Sequence, residues 1–152
     1  WHDAPHVLID GQGKLVGLYD QETLYLNSIR RGKFTAEAWK QYLAARDIKP
    51  LTCRDGVCQT VIRSLALIIS QTQENQPCEK GALLIRLEPS KIACPTASLV
   101  LDWYDLWRHG GHALWIKPTG IHMEKVNVHQ GQRPWTRRAI PRKLRPQKLS
   151  IE

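Results

Sequence analysis

The stretch that decides the fold is 97-ASLVLDWYDLWRHGGHALWIK-117. It opens with the apolar run 98–101, whose composition predicts a buried strand. Asp102 stands where its carboxylate can cap a short helix. Trp103 and Trp107 then recur at helical spacing, so the sequence predicts that this helix lays both indoles on the core.

The second half of this stretch turns the chain back on itself. A double glycine at 110–111 ends the helix, because glycine adopts positive φ at little cost. The apolar run 113–116 predicts a strand, and 118–120 is a Pro-Thr-Gly turn. Residues 121–128 then alternate apolar and polar side chains, which predicts the returning strand. Strand, short helix and hairpin together indicate one core-building unit.

The chain before this unit predicts short strands and one long helix. Residues 6–10, 14–19 and 23–29 have the apolar runs and turns of a three-stranded meander. A helix follows over 35–46, with Thr35 as its cap. The helical periodicity gives it an apolar stripe of Ala36, Trp39, Tyr42 and Leu43.

Further apolar segments predict buried strands at 59–63, 65–70 and 81–85. All of these elements together predict an α+β fold of mainly antiparallel short strands. The long helix over 35–46 and the short helix over 102–108 are expected to cover the sheet. We expect a single globular domain over residues 1–132 and a flexible, basic, proline-containing tail over 133–152.

Length and composition fit one ordinary globular domain. The chain has 152 residues, of which 42% are hydrophobic and 24% are charged. It contains no run of ~18 apolar residues, so the sequence predicts no transmembrane helix. The chain opens on Trp1 without an initiator methionine or a signal peptide, and we therefore expect a fragment of a longer protein.

The net charge of +8 is concentrated at the C-terminal end. Residues 133–148 contain seven cationic side chains and no acid. With Glu152 the segment 133–152 carries +6, so residues 1–132 carry only +2 of the total. Three prolines in the same segment prevent a long helix. The simplest interpretation is a solvated terminus. The alternative is electrostatic contact with DNA or with anionic lipid headgroups.

The four cysteines carry the clearest chemical signal. Cys53 and Cys58 flank a turn-forming Asp-Gly pair, and such a bend can bring two Cα atoms within the ~4.4–6.8 Å of a disulfide. We favour two disulfides, Cys53–Cys58 and Cys78–Cys94, which would place the domain in an oxidising compartment. Three alternatives stay open: one disulfide with two buried thiols, four reduced cysteines, or a zinc site. The CxxC pairs typical of structural zinc are missing.

Other reactive side chains form no recognisable site. His109 and His112 flank two glycines, which give no fixed scaffold for a metal ion. Asp102 and Asp105 fit helix capping better than catalysis. Neither a GxSxG motif nor a binuclear-metal histidine motif occurs. The sequence therefore predicts no catalytic residue, no metal site and no cofactor.

The order of these landmarks resembles the soluble C-terminal region of ComEC-family DNA-uptake proteins of the alphaproteobacterial type. The resemblance covers residues 5–135. It rests on the opening meander, the aromatic helix at Trp39, cysteines placed before buried strands, and the closing GQRPW at 131–135. Its most distinctive block is DLWR at 105–108 followed by HALW at 112–115.

Members of this family are polytopic inner-membrane proteins that move single-stranded DNA into the cell. The resemblance implies a non-catalytic periplasmic domain that positions DNA or assists channel assembly, joined to a transmembrane channel upstream in the same polypeptide. Many members carry a C-terminal metallo-β-lactamase-like domain, whose histidine and aspartate metal motif this sequence lacks. The resemblance therefore implies a degenerate half of that fold or an unrelated replacement, and it argues against two-metal hydrolysis here.

Single-stranded DNA is the partner that the resemblance implies, and the tail supplies the expected contacts through its cations and one stacking tryptophan. These residues are Arg133, Trp135, Arg137, Arg138, Arg142 and Lys143. Two other functions are kept as alternatives. One is a nuclease or hydrolase whose site would depend on Asp10 or His112, and the other is a structural domain whose tail contacts anionic lipid.

Overall fold

The computed structural model describes residues 3–73 and 77–125. In these residues eleven strands form two sheets, and two helices accompany them, which confirms the α+β class. Six strand pairings are antiparallel and three are parallel, so antiparallel pairing dominates as predicted. No helix of the described residues is long and apolar enough to cross a membrane. The likeness to a metallo-β-lactamase-like half stays a prediction.

The first sheet has six strands drawn from both ends of the chain. They are β1 (Val7–Ile9), β2 (Val16–Asp20), β3 (Thr23–Leu26), β4 (Asp47–Pro50), β10 (His112–Lys117) and β11 (Gly120–Lys125). Their order is β11-β10-β1-β2-β3-β4, and all neighbours are antiparallel except β3 and β4. Val7 pairs with Leu114 and Ile9 with His112, so β1 joins the C-terminal hairpin to the rest of the sheet.

The second sheet comes from one continuous part of the chain. Its strands are β5 (Cys53–Arg54), β6 (Val57–Ile62), β7 (Leu65–Ser70), β8 (Leu83–Arg86) and β9 (Leu99–Leu101), in that order. β5, β6 and β7 form antiparallel hairpins, whereas β7, β8 and β9 run parallel. Parallel neighbours need long connections, and here residues 71–82 and 87–98 provide them.

The two sheets pack face to face and share one core. Ile9 and Leu114 of the first sheet and Ile69 and Ile85 of the second lie in it with no exposed surface. A helix, α1 (Lys33–Leu43), covers the outer face of the first sheet. Residues of the connection 87–98 cover the outer face of the second. Inner strands such as β1 and β8 are therefore buried on both faces, which explains their continuous apolar runs, whereas the edge strands β4, β5 and β11 stay partly exposed.

The long helix α1 begins two residues before the predicted start. Gly32 precedes it with a φ of 61°, and no side chain caps the first turn. A Cβ at this position would also lie 3.0 Å from Leu15 Cδ2, so both backbone conformation and crowding favour glycine. Thr35 lies inside the helix, and its predicted role as a cap is wrong.

The buried stripe of α1 is narrower than the predicted one. Ala36, Trp39 and Leu43 are buried as expected, whereas Tyr42 is 48% exposed. The helix ends at Leu43, three residues before the predicted end, because Ala44 adopts a left-handed conformation that stops it.

One strand, β4, lies where the sequence indicated only the end of the helix. It pairs in parallel with β3, with Ile48 opposite Leu24. Its polar composition and its final proline both argue against a strand. The proline is tolerated because β4 is the edge strand, where a missing N–H costs no inner ladder bond.

The short helix α2 (Trp103–His109) has the predicted cap. Asp102 Oδ1 accepts a hydrogen bond from the Asp105 N–H at 2.9 Å, and Asp105 Oδ2 accepts one from the Asp102 N–H at 3.1 Å. This reciprocal capping box fixes the first turn. Gly110 ends the helix with a φ of 78°.

The packing of α2 differs from the prediction that both indoles lie on the core. Leu106 is the buried residue of this helix, and it lies so close to Gly13 that a Cβ there would be 3.2 Å from Leu106 Cβ. Trp103 is half-buried and Trp107 is 46% exposed. Leucine, and not tryptophan, therefore occupies the buried position of this short helix.

Candidate functional site

The six residues expected to contact DNA lie outside the part of the chain that the structure describes. They are Arg133, Trp135, Arg137, Arg138, Arg142 and Lys143. Their role stays a prediction. The structure describes the chain up to Lys125, the last residue of β11, which pairs with His112 just after α2. The sequence that leads to the basic tail therefore starts beside the C-terminal end of α2.

All four cysteines are paired in disulfides, and none is free. Cys53 and Cys58 face each other across the β5–β6 hairpin, with Cα atoms 4.0 Å apart. Cys78 and Cys94 have Cα atoms 5.6 Å apart, and their bond ties the entry to β8 to the connection before β9. Because disulfides persist in oxidising compartments, they indicate a non-cytoplasmic location.

Asp10, one of the two residues on which a hydrolytic site would depend, holds a turn together. Its Oδ1 accepts hydrogen bonds from the N–H groups of Lys14 at 2.9 Å and Leu15 at 3.2 Å. Burial raises the pKa of this carboxyl group, and the backbone hydrogen bonds oppose that rise. The carboxylate is therefore committed to the β1–β2 turn, which is a structural role.

His112, the other such residue, is fully buried at the start of β10. Its Nδ1 lies 2.9 Å from the Gly110 carbonyl oxygen, which only accepts, so Nδ1 carries the proton and Nε2 the lone pair. Nε2 has no partner among the described residues. Burial is the main cause that lowers the pKa of His112 to about 4, and the nearby His109 and Lys125 act in the same direction.

We expect His112 to make folding stability depend on pH. Between pH 6.5 and pH 4 the unfolded chain binds a proton at this residue that the folded chain does not bind. Lowering the pH through this window should therefore reduce the free energy of unfolding by about 2–3 kcal/mol. Urea unfolding of the protein and of His112→Gln across this range measures the effect, which the substitution should abolish.

The matched control for this experiment is His122→Gln, because His122 is an exposed histidine on the neighbouring strand β11. This variant should keep the pH dependence of the unmodified chain. Because the pKa of Asp10 is raised on folding, this residue changes the free energy of unfolding with pH in the opposite direction. Only the difference in pH dependence between variants therefore reports on His112. An unchanged slope in His112→Gln would contradict the assignment.

Three aromatic side chains of α2 form a partly exposed cluster, which we call the α2 aromatic surface: Trp103, Tyr104 and Trp107. The rings of Trp103 and Trp107 stack with an interplanar angle of 11° and centroids 6.1 Å apart. Tyr104 meets the Trp103 ring edge-on, with centroids 5.0 Å apart. Tyr104 is 50% exposed and Trp107 46%. The surface is thus an ordered aromatic stack that water reaches.

Opposite charges lie at the two ends of this surface. The carboxylates of Asp102 and Asp105 are bound to backbone N–H groups at the start of the helix. At the other end, the pKa of His109 is lowered first by burial and then by the charges of Lys125 and Arg108, and the Asp105 charge opposes this lowering. Those two cations therefore lie beside the last turn of α2.

A surface cavity of about 490 Å³ is a weaker candidate. It lies beside the Cys53–Cys58 hairpin and is lined by Thr52, Arg54, Asp55, Val57, Gln59 and Pro77. Its two charged residues have opposite sign and are both exposed. This lining favours neither an anionic nor a cationic ligand.

Within residues 3–73 and 77–125, no group of three His, Cys, Asp or Glu side chains is placed to hold a metal ion. Comparisons with protein-family models, curated proteins and solved structures found no significant match to this chain. A place in the DNA-uptake family is therefore a proposal that rests on the sequence resemblance.

The α2 aromatic surface is the feature that sequence reasoning assigned to the wrong place. The helix and its cap were predictable, but both indoles were expected in the core. The sequence carries no signal that separates the two arrangements, because Trp103, Leu106 and Trp107 are neighbours on one side of the helix by their i, i+3 and i+4 spacing. In the structure Leu106 is the buried residue of α2, whereas Trp103 is half-buried and Trp107 is exposed.

Proposed function

We propose that this chain is a non-catalytic, extracytoplasmic domain of an inner-membrane DNA-uptake channel, which holds single-stranded DNA through its basic tail. The observation that carries the DNA contact is the charge asymmetry between a nearly neutral body and a segment with seven cations and no acid. The assignment to an uptake channel comes from the sequence resemblance alone.

The charge asymmetry supports nucleic-acid binding for a simple electrostatic reason. Each phosphate that a Lys or Arg neutralises releases a condensed counterion, and this release favours binding at low salt. A single strand with seven engaged phosphates should give a slope of about −5 when the logarithm of the binding constant is plotted against that of the salt concentration. Phosphate contacts do not distinguish one base sequence from another, and a channel that takes up DNA of any sequence needs contacts of this kind.

The disulfide-bonded body supports the extracytoplasmic part of the proposal. Two disulfides in a chain of this size are typical of proteins that work in an oxidising compartment. Both stabilise the second sheet, so the body can serve as a firm base for the tail. Asp10 and His112 have structural roles in the described residues, which favours binding over hydrolysis.

The test compares two variants of the full chain that lose the same charge. Arg137, Arg138 and Arg142 are changed together to Gln in the tail variant, and Arg30, Arg31 and Lys33 in the body control. The control residues are exposed, just before and at the start of α1. Fluorescence anisotropy with labelled oligo-dT is measured over a range of salt concentrations.

We expect the tail variant to bind more weakly and to flatten the salt slope by about 2, because three phosphate contacts are lost. The body control should bind as the unmodified chain does. Equal behaviour of the two triple variants would contradict the tail assignment. Binding to vesicles with anionic lipid, without binding to oligo-dT, would instead favour the lipid-contacting alternative.

A further inference from the structure

We propose that the α2 aromatic surface is a base-stacking site for single-stranded nucleic acid. The proposal rests on the proposed function and adds to it a second contact with different chemistry. The tail would hold phosphates, and α2 would hold unpaired bases. No sequence signal assigned such a role to these residues.

The ring geometry suits a stacked base. Trp103 and Trp107 already lie nearly parallel, at 11°, so a base added against the exposed Trp107 ring continues an existing stack. Tyr104 supports Trp103 edge-on and fixes the orientation of the pair. Aromatic rings bind bases without sequence preference, because every base has a π-face.

The helix that carries the rings is held firmly. A capping box fixes its first turn, Leu106 anchors it in the core, and Gly110 ends it. The rings are therefore ordered before a ligand arrives, and binding has little conformational freedom left to remove.

Charge and chain direction favour a nucleic acid as the occupant. The charges of Arg108 and Lys125 act on His109 at the C-terminal end of the surface, where Asp105 partly opposes them, and the carboxylates of Asp102 and Asp105 accept hydrogen bonds from backbone N–H groups. The seven cations of residues 133–148 begin eight residues after Lys125 in the sequence. In this proposal one strand contacts those cations with its phosphates and the α2 aromatic surface with its bases.

The exposed aromatic residue on α1 provides a matched control. Phe34 is 74% exposed and belongs to the helix on the outer face of the first sheet. Replacing it with alanine removes a similar apolar area at a distant position. An equal loss of affinity in Trp107→Ala and Phe34→Ala would reflect a general loss of exposed apolar surface and not a specific stacking site.

The experiment uses the full chain and two probes, oligo-dT and an abasic oligomer with the same number of phosphates. Trp107→Ala should weaken binding of oligo-dT about 5- to 150-fold, the usual effect of removing one stacking ring. It should leave binding of the abasic oligomer unchanged. Trp107→Phe should recover most of the affinity, and Phe34→Ala should have no effect.

The outcomes separate this inference from the proposed function. The stacking site is overturned if Trp107→Ala binds both probes more weakly by the same factor, or binds oligo-dT as the unmodified chain does. The tail variant tests the tail contact independently of that result. A loss specific to oligo-dT in Trp107→Ala, with a tail variant that binds normally, supports stacking and removes the tail contact. Weaker binding of Trp107→Ala to vesicles containing phosphatidylglycerol, with unchanged oligo-dT binding, assigns the surface to a membrane. No binding of the unmodified chain to either probe overturns both proposals.

Discussion

Replacing Trp39 with alanine is expected to lower the free energy of unfolding by about 3–5 kcal/mol. Trp39 has no exposed surface and lies at the centre of the cluster between α1 and the first sheet. Gly17 makes room for it, because a Cβ there would lie 2.9 Å from Cε3 and Cζ3 of the indole. Alanine would leave a cavity that this tightly fitted backbone cannot close.

Two further variants show whether ring burial is the cause. Trp39→Phe keeps an aromatic ring and removes an indole N–H that has no partner among the described residues, so its cost should be clearly smaller. Tyr42→Ala, on the exposed side of the same helix, should cost well under half as much as Trp39→Ala. Urea unfolding followed by circular dichroism measures all three. Equal losses for Trp39→Ala and Tyr42→Ala would contradict the packing described for α1.

Removing the Cys78–Cys94 disulfide by changing both residues to alanine should cost about 3 kcal/mol. The bond joins residues 16 apart in sequence, and its loss frees that loop in the unfolded chain. Cys94 is also buried in the cluster on the outer face of the second sheet. Loss of the bond should therefore also loosen the connection 87–98.

The Cys53–Cys58 bond provides the comparison, because its partners are only 5 apart. The shorter loop should make its removal cost less, about 2 kcal/mol. Urea unfolding with and without reductant measures each contribution, and reductant should no longer affect a chain that lacks all four cysteines. A larger loss for the Cys53–Cys58 pair would mean that packing, and not loop closure, dominates.

Much of the fold can be predicted from local patterns in the sequence. Strands β1, β7 and β8 were predictable because they are continuous apolar runs, and the Asp-Gly bend indicated the Cys53–Cys58 pair. β4 was not predictable, because its polar residues are tolerated only by an edge position that the tertiary structure creates. The start of α1 was missed since Gly32, with its positive φ, replaces the side-chain cap that Thr35 suggested.

The candidate site was less predictable than the fold. The charge of the tail can be read directly from its residues, and its role as a DNA contact stays a prediction. The α2 aromatic surface depends on which side of a short helix meets the core, and that is decided by the contact between Leu106 and Gly13. Helical spacing alone cannot choose between a buried indole pair and an exposed one.

The different origins of the two sheets have a consequence for the order in which the protein can be assembled during synthesis. All strands of the second sheet lie within residues 53–101, and both disulfides close inside that segment. The first sheet must wait longer, because β1 pairs with β10, which begins at His112. As the chain emerges from its N-terminal end, oxidation can lock the second sheet while the N-terminal strand still lacks one of its neighbours.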